Sequence, residues 1–356
     1  MNPSWQNIHK AFRLNGIAYS LSELYEVGYS LVKEGQEFEK AIGDFLLDWC
    51  SHKTTLEVFT SGSTGEPKRI QLQKTHIVNS ALATGTYFNL QEGNTALLCL
   101  PVGSIAGKMM LVRAMVLGLR LDYVAPSSQP LLKTEQQYDF CAMVPLQAQK
   151  SLHQLERVKT LILGGAAVSF LLEKELKGIP ISVYETYGMT ETITHVAVRQ
   201  IVPKTDTYFR LLPHIEIAQD NRGCLVLKAP KVSDTPVVTN DLVKIENTDS
   251  FTWLGRFDNV INSGGIKLFP EQIEKKLSQI LDFRFFVAGI PDKVLGQKLV
   301  LVAEQGEENT ETILEKIHHS KLLDKYEIPK QVYGVRVFKE TRTGKINKRA
   351  ILQEIT

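Results

Sequence analysis

Four cysteines in 356 residues, at positions 50, 99, 141 and 224, show none of the paired spacings that a zinc site or a dithiol redox motif needs. They are expected to be free thiols in a reducing cytoplasm. No long uninterrupted apolar run exists either. The longest apolar stretch, from Thr95 to Leu119, is cut by Lys108 and Arg113, and the N-terminus lacks a basic-then-apolar signal pattern, so no membrane span is expected. Charge of one sign is missing as well. The 41 basic and 39 acidic residues nearly cancel to +2, which provides no global field for nucleic acid or an anionic membrane. Internal repeats and low-complexity segments are absent. What remains is 43% hydrophobic and 22% charged residues, enough for sizeable cores in about two domains.

The stretch with the clearest chemical character is Thr60-Ser61-Gly62-Ser63-Thr64-Gly65-Glu66-Pro67-Lys68. Gly62 and Gly65 let backbone approach an anion, Ser61, Ser63 and Thr64 offer hydroxyl donors, and Lys68 adds a mobile charge. The spacing differs from a Walker A loop, in which four residues separate two glycines and Lys follows the second directly. A P-loop NTPase is therefore excluded, and the choice lies between a phosphate-holding loop and a plain Ser/Gly surface hairpin.

Periodicity sets out the rest. Phe38, Ile42, Phe45, Leu46 and Trp49 share a helical face, which predicts a short helical lead-in. Two strands, Leu56 to Thr60 and Arg69 to Gln73, flank the Ser/Gly loop, and a helix follows from Lys74 to Asn89. An alternation of apolar strands and helices runs from Ala96 to Leu163, which predicts a mainly parallel sheet covered by helices. Ligands gather at the strand C-termini of such sheets, where Gly164-Gly165-Ala166 and Tyr187-Gly188-Met189-Thr190-Glu191 fall. From His195 to Trp253 short alternating segments predict a small β-rich subdomain, and the last hundred residues read as a compact α+β unit after a linker at Gly255-Arg256-Phe257-Asp258. The expected fold class is α/β: a large N-terminal domain of mainly parallel sheets plus the β-rich subdomain over 1–255, and a small mobile α+β C-terminal domain over 256–356.

Taken in order, Thr60 to Lys68, Gly164 to Ala166, Tyr187 to Glu191, Asp241, Gly255 to Asp258, Ser263 to Lys267 and Thr343-Gly344-Lys345-Ile346 resemble the motif series of the adenylate-forming superfamily of acyl-CoA synthetases, adenylation domains and luciferases. Within it the chain resembles the o-succinylbenzoate CoA ligases of menaquinone biosynthesis most, on its short length and the Tyr187-to-His195 neighbourhood. Departures exist. Relatives carry a longer stretch before the phosphate loop, so part of the usual N-terminal subdomain is expected to be missing or reduced to the helical lead-in. The family's Thr-Gly-Asp is Thr239-Asn240-Asp241 here, its Gly-Lys-Ile-x-Arg ends in Lys348 with Arg349 one place later, and Ser104-Ile105-Ala106-Gly107 replaces a pocket-wall motif that often carries an aromatic residue or His.

The resemblance implies an ATP-, Mg²⁺- and CoA-dependent acid–thiol ligase in which carboxylate attacks the α-phosphate of ATP. It assigns Glu191 to Mg²⁺, Thr190 to the α-phosphate, and Thr60, Ser61, Gly62, Ser63, Thr64, Gly65 and Lys68 to the phosphates. Gly164, Gly165, Ala166, Tyr187 and Gly188 would line the base, Asp241 would accept from the ribose hydroxyls with Arg256 behind it, and Lys345 would be the catalytic lysine. Rotation about Asp258 would then exchange Lys345 for the Ser263-Gly264-Gly265 loop and admit CoA. A second, unreacting carboxylate on o-succinylbenzoate would need a cation or several donors, because burying it alone costs several kcal/mol. Ser104, Lys108 and His195 are the candidates for that acid pocket. Rival readings are an adenylating enzyme for another acid or a carrier-protein thiol, and a degenerate AMP-binding module. Intact Glu191, Asp241, Arg256 and Lys345 weigh against decay. The partners expected are these small molecules, with no nucleic acid.

Overall fold

Small residues and caps decide how the first helices assemble in the computed structural model, which describes residues 4–59, 68–304, 310–340 and 346–355. Helix α1 (Leu21–Glu34) starts at Ser20, whose hydroxyl accepts from Glu23 N–H while Glu23 accepts from Ser20 N–H at 2.7 Å. It packs against α2 (Glu37–Cys50) where Gly28 and Gly43 meet; a Cβ on Gly43 would lie 2.6 Å from the Gly28 carbonyl oxygen. The lead-in is thus a helix pair, one helix more than the apolar pattern of Phe38 to Trp49 predicts.

The orphan carbonyls at the end of α2 are met by a lysine from the next helix, α3 (Lys74–Phe88). Lys74 is fully buried and donates to the carbonyls of Asp48 and Trp49 at 2.8 Å and of Ser51 at 3.1 Å. Burial lowers its pKa to about 8. Between α2 and α3 the strands Thr55–Phe59 and Arg69–Gln73 pair antiparallel, as their alternation predicts.

Six parallel strands form one half of a single twelve-stranded sheet, in the spatial order Arg13–Leu14, Arg120–Tyr123, Thr95–Leu98, Tyr138–Met143, Val158–Leu163, Ser182–Gly188. The strand period of two sends Phe140, Ala142 and Ile162 to the core under α3 and α4 (Ile105–Leu117), and Cys141, Met143, Leu161 and Leu163 to the core on the opposite face. That second core includes Ala148 of α5 (Pro145–Lys150) and Leu172 of α6 (Phe170–Leu176). Helix α5 stops at Lys150, and the chain continues as a tighter turn over Leu152–Arg157.

The β-rich segment is continuous with this sheet. His195–Val202 pairs antiparallel with Ser182–Gly188, and Phe209–Leu211, Ser250–Arg256, Val237–Asn247, Cys224–Lys228 and Glu216–Gln219 follow in that order. The expected subdomain therefore shares a sheet with the parallel strands, giving a large mixed sheet in place of a mainly parallel one.

From Ile261 onward a second sheet has its own core. Ile266–Leu268, Ile261–Ser263, Gly296–Glu304 and Phe285–Asp292 lie side by side, with Gln331–Val335 parallel to Gly296–Glu304. It packs Leu299 and Leu301 against α7 (Pro270–Leu277) and α8 (Thr310–Ser320), and Phe286 and Phe338 against α9 (Lys348–Ile355). Among the described residues no helix is long and apolar enough to cross a membrane.

Candidate active site

The C-terminal ends of the parallel strands carry the nucleotide candidates. Gly164 follows Val158–Leu163, and a Cβ there would sit 2.6 Å from the Thr186 hydroxyl, which itself donates to the Leu163 carbonyl at 2.9 Å. Glycine is what lets the two strand ends approach this closely. Gly165 takes φ +81°, and Ala166 is exposed beside it, so bare backbone faces outward.

Gly188 ends the neighbouring strand at a tighter place still, where a Cβ would lie 2.2 Å from the Thr194 carbonyl oxygen. Thr192 pins the turn: its hydroxyl accepts from Met189 N–H at 3.2 Å and lies 3.0 and 2.9 Å from the Met189 and Thr194 carbonyl oxygens. Glu191 is exposed on this turn and Thr190 half-buried. Among the described residues no three His, Cys, Asp or Glu side chains cluster as a metal cage. A lone exposed carboxylate fits Mg²⁺ in the way that ion is usually held beside phosphates, by one or two carboxylates with phosphate and water oxygens completing the octahedron.

Asp241 and Tyr187 meet across the sheet. The Tyr187 hydroxyl donates to Asp241 Oδ2 at 2.7 Å, Trp253 Nε1 donates to Oδ1 at 3.2 Å, and Arg256 stands 3.8 Å from the same carboxylate. Burial and the adjacent carboxylate push the Tyr187 pKa upward, so the phenol remains a donor. Its ring packs on Phe251 and Phe209, at 5.1 and 5.8 Å between centroids. A carboxylate has about four lone-pair sites, so Asp241 keeps acceptor capacity for two hydroxyls. Tyr187 thus positions Asp241, a task beyond the base-packing role expected of it. Trp253 has the same partner and was not picked out from sequence, since an indole in an alternating strand carries no mark of function.

The acid-pocket candidates separate. Ser104 caps α4, accepting from Gly107 N–H at 3.3 Å and donating to the Pro101 carbonyl at 2.7 Å. Lys108 turns toward α2: Nζ donates to the Val102 carbonyl at 2.8 Å, lies 5.7 Å over the Phe45 ring, and shares a cleft with Asp44, Asp48 and Glu57. His195 is elsewhere, buried under α3 and α4. Its cationic neighbour is Arg113, whose Nη2 approaches His195 Nδ1 at 3.4 Å and whose Nε approaches the Thr84 hydroxyl at the same distance. Thr84 Oγ1 is 3.0 Å from the Ser80 carbonyl and 3.4 Å from His195 Nε2. One tautomer satisfies every contact: Nδ1 accepts from Arg113, and Nε2–H donates to Thr84, which donates on to Ser80.

Arg113 is 1% exposed, and among the described residues no carboxylate pairs with it. Burial alone lowers its pKa to about 9. Of its five N–H donors, two are directed at His195 and Thr84 and one at the Met110 sulfur at 3.7 Å. The sequence signal was a single arginine in a helix otherwise apolar from Met109 to Val116. A cavity of about 230 Å³, lined in part by His195, lies between α3 and residues 212–215.

Burial and then Arg113 drive the His195 pKa well below its ordinary value. The sign follows directly. Above the unfolded pKa, near 6.5, the ring is neutral folded or unfolded; below it only the unfolded chain takes the proton, so stability falls with falling pH down to the folded pKa. Urea midpoints measured at pH 7 and pH 5.5 are expected to drop more for the native chain than for His195→Gln, by up to about 1.4 kcal/mol per pH unit. Equal drops in both would show that His195 protonates freely in the fold.

The remaining candidates lie at the boundary and beyond. Ser263 precedes a two-residue turn in which Gly264 and Gly265 have φ +58° and +83°, the geometry of a tight hairpin that favours glycine twice. Asp258 sits in the turn Phe257–Asn259. Lys68 is exposed just before its strand. Thr60, Ser61, Gly62, Ser63, Thr64, Gly65 and Lys345 lie outside the described residues.

Comparison with known proteins gives the context. Residues 48–226 match the family described as AMP-binding enzyme. A solved structure described as an acyl-CoA synthetase (AMP-forming)/AMP-acid ligase II-like protein from Dyadobacter fermentans is 37% identical, with 93% of this chain and 98% of that one covered and a TM-score of 0.62. A 2-succinylbenzoate–CoA ligase of Bacillus cytotoxicus is 27% identical over 336 residues, covering 83% of this chain and 69% of the relative. The o-succinylbenzoate coenzyme A synthetase of Bacillus subtilis, solved with ATP and magnesium ion, shares the fold at 19% identity and a TM-score of 0.71, covering 92% and 81%.

Proposed function

This chain belongs to the AMP-binding enzyme family and is an adenylate-forming acyl-CoA ligase, and on that premise we propose that its acid is o-succinylbenzoate, converted to o-succinylbenzoyl-CoA for menaquinone biosynthesis in the cytoplasm. The observation that carries the substrate reading is Arg113, a guanidinium fully buried beside His195 with no carboxylate of the protein to balance it among the described residues. An uncompensated buried charge is costly enough that such groups are normally paired, and a dicarboxylic substrate in the cavity that His195 lines would supply the missing counter-charge.

In the first half-reaction an oxygen of the aryl acid's reacting carboxylate would attack the α-phosphorus of ATP, forming the acyl-adenylate as the bond to pyrophosphate breaks. Asp241, held by Tyr187 and Trp253, would accept from the ribose hydroxyls, with the base against the exposed backbone at Gly164 to Ala166. Thr190 would donate to the α-phosphate, and residues Thr60 to Gly65 with Lys68 would hold the departing phosphates. Mg²⁺ at Glu191 would supply charge neutralisation as negative charge builds on the phosphoryl oxygens. In the second half-reaction the CoA sulfur would attack the acyl carbonyl, AMP would leave, and the thiol proton would pass to solvent. Residues 256–356 would turn about Asp258 between the two, bringing the Ser263-Gly264-Gly265 hairpin to the site in place of Lys345.

Pyrophosphate release measured over a panel of acids, with and without CoA, tests the reading. o-Succinylbenzoate is expected to outperform benzoate and monocarboxylic aryl acids, with thioester appearing only when CoA is present. A preference for monocarboxylates overturns the substrate. Pyrophosphate release with no transfer to CoA shifts the acceptor to a carrier-protein thiol.

A further inference from the structure

The segment on which the turn would pivot is tied to the large sheet by a side-chain chain that runs through a residue departing from the resembled motif. Asn240 stands where the resembled motif carries glycine, between Thr239 and Asp241. Its Oδ1 accepts from Arg222 Nη1 at 2.9 Å and its Nδ2 donates to Asp258 Oδ2 at 3.2 Å. Arg222 is anchored in turn: Nη2 donates to the Thr239 carbonyl at 3.1 Å, Nε donates to Asp220 at 2.8 Å, and the guanidinium lies 5.2 Å from the Phe257 ring centroid. Asp258 is thus gripped through Asn240, and its neighbour Phe257 through Arg222, from the sheet side. A glycine at 240 could make neither of the two amide contacts, to Arg222 and to Asp258.

The other side of the same turn is held by α7. Glu271 accepts from Asn259 Nδ2 at 2.6 Å, and Gln272 Nε2 donates to the Trp253 and Leu254 carbonyls at 2.9 and 3.0 Å. In this arrangement Gly265 faces open space: a Cβ there would meet nothing within 4 Å. We infer that Asn240 is a positioning residue, a latch that with Arg222 holds Asp258 in the orientation seen here, and so sets the balance between the two half-reactions. This rests on the two-step ligase reading above.

Release of the latch frees Asp258 to favour the other orientation. The bonds are partly exposed and individually modest, so the population shift is small but measurable, roughly two- to tenfold. The test uses the full chain with o-succinylbenzoate as probe acid, and takes single-turnover rates of pyrophosphate release and of thioester formation from synthetic acyl-adenylate. Asn240→Gly and Arg222→Met are each expected to shift the ratio of thioester formation to adenylation by that factor and in the same direction, with the KM for ATP unchanged. The exchange Asn240→Asp with Asp258→Asn reverses donor and acceptor across the same bond and should restore the native ratio. An unmoved ratio in Asn240→Gly, or a changed ratio that the exchange does not restore, overturns the latch. Absence of either half-reaction in the native chain defeats the ligase reading and the latch with it, whereas two working half-reactions with an unmoved ratio defeat the latch alone.

Discussion

Lys345→Ala is expected to lose roughly 10²-fold or more of acyl-adenylate formation, while transfer to CoA from supplied acyl-adenylate survives. The asymmetry comes from electrostatics. Adenylation drives a carboxylate against a polyphosphate, and an ammonium between the two is worth most where the anions are closest; the thioester step has no such collision. Two described lysines near it in the chain, Lys339 and Lys348, are already engaged. Lys339 pairs with Glu354, Lys348 pairs with Glu274 at 2.8 Å, and Arg284 holds Glu340 at 2.6 Å. Glu340 and Ile346 pair antiparallel, and Asn347 N–H donates to the Lys339 carbonyl at 2.7 Å, so the chain leaves and returns at one point on the C-terminal sheet's outer core. Rapid-quench measurement of each half-reaction decides the matter. Equal losses in both steps would remove Lys345 from the assigned role.

Arg113→Met separates binding from stability in opposite directions. A charge-assisted contact to a carboxylate is worth about 1.5 to 3 kcal/mol, which corresponds to about a 10- to 100-fold rise in KM for o-succinylbenzoate, with the KM for ATP nearly unchanged. The free protein should be no less stable, and by melting temperature is expected to be as stable or more so. Methionine fills much of the same volume without leaving a buried cation unbalanced, and such replacements are often neutral or stabilising. A residue conferring only structure would behave otherwise: its loss would lower the melting temperature and leave KM alone. Lys108→Met serves as the contrast, because its ammonium lies on the α2 side over Phe45 and the KM for the acid should not move. If Arg113→Met keeps the native KM for the dicarboxylate, the guanidinium is not in the acid pocket.

The order of the motifs, most helices and most strands were legible in the sequence because each depends on neighbours within a few residues. The period of two in Arg69 to Gln73 and the glycines at 164 and 165 act locally. The chain's family could be read from the same local marks. Two matters were decided only in three dimensions. The antiparallel pairing of His195–Val202 with Ser182–Gly188, which joins the β-rich segment to the parallel strands, is a register between strands separated by a turn that Gly188 and Thr192 tighten. The identity of the buried cation is the other. Lys108 and Arg113 are five residues apart in α4, about 140° around the helix, and residues from Met109 to Val116 are buried on every side, so no apolar stripe says which face meets the sheet. Packing of α4 between α2 and α3 sends lysine to the cleft with Asp44 and Asp48, and arginine inward to Thr84 and His195.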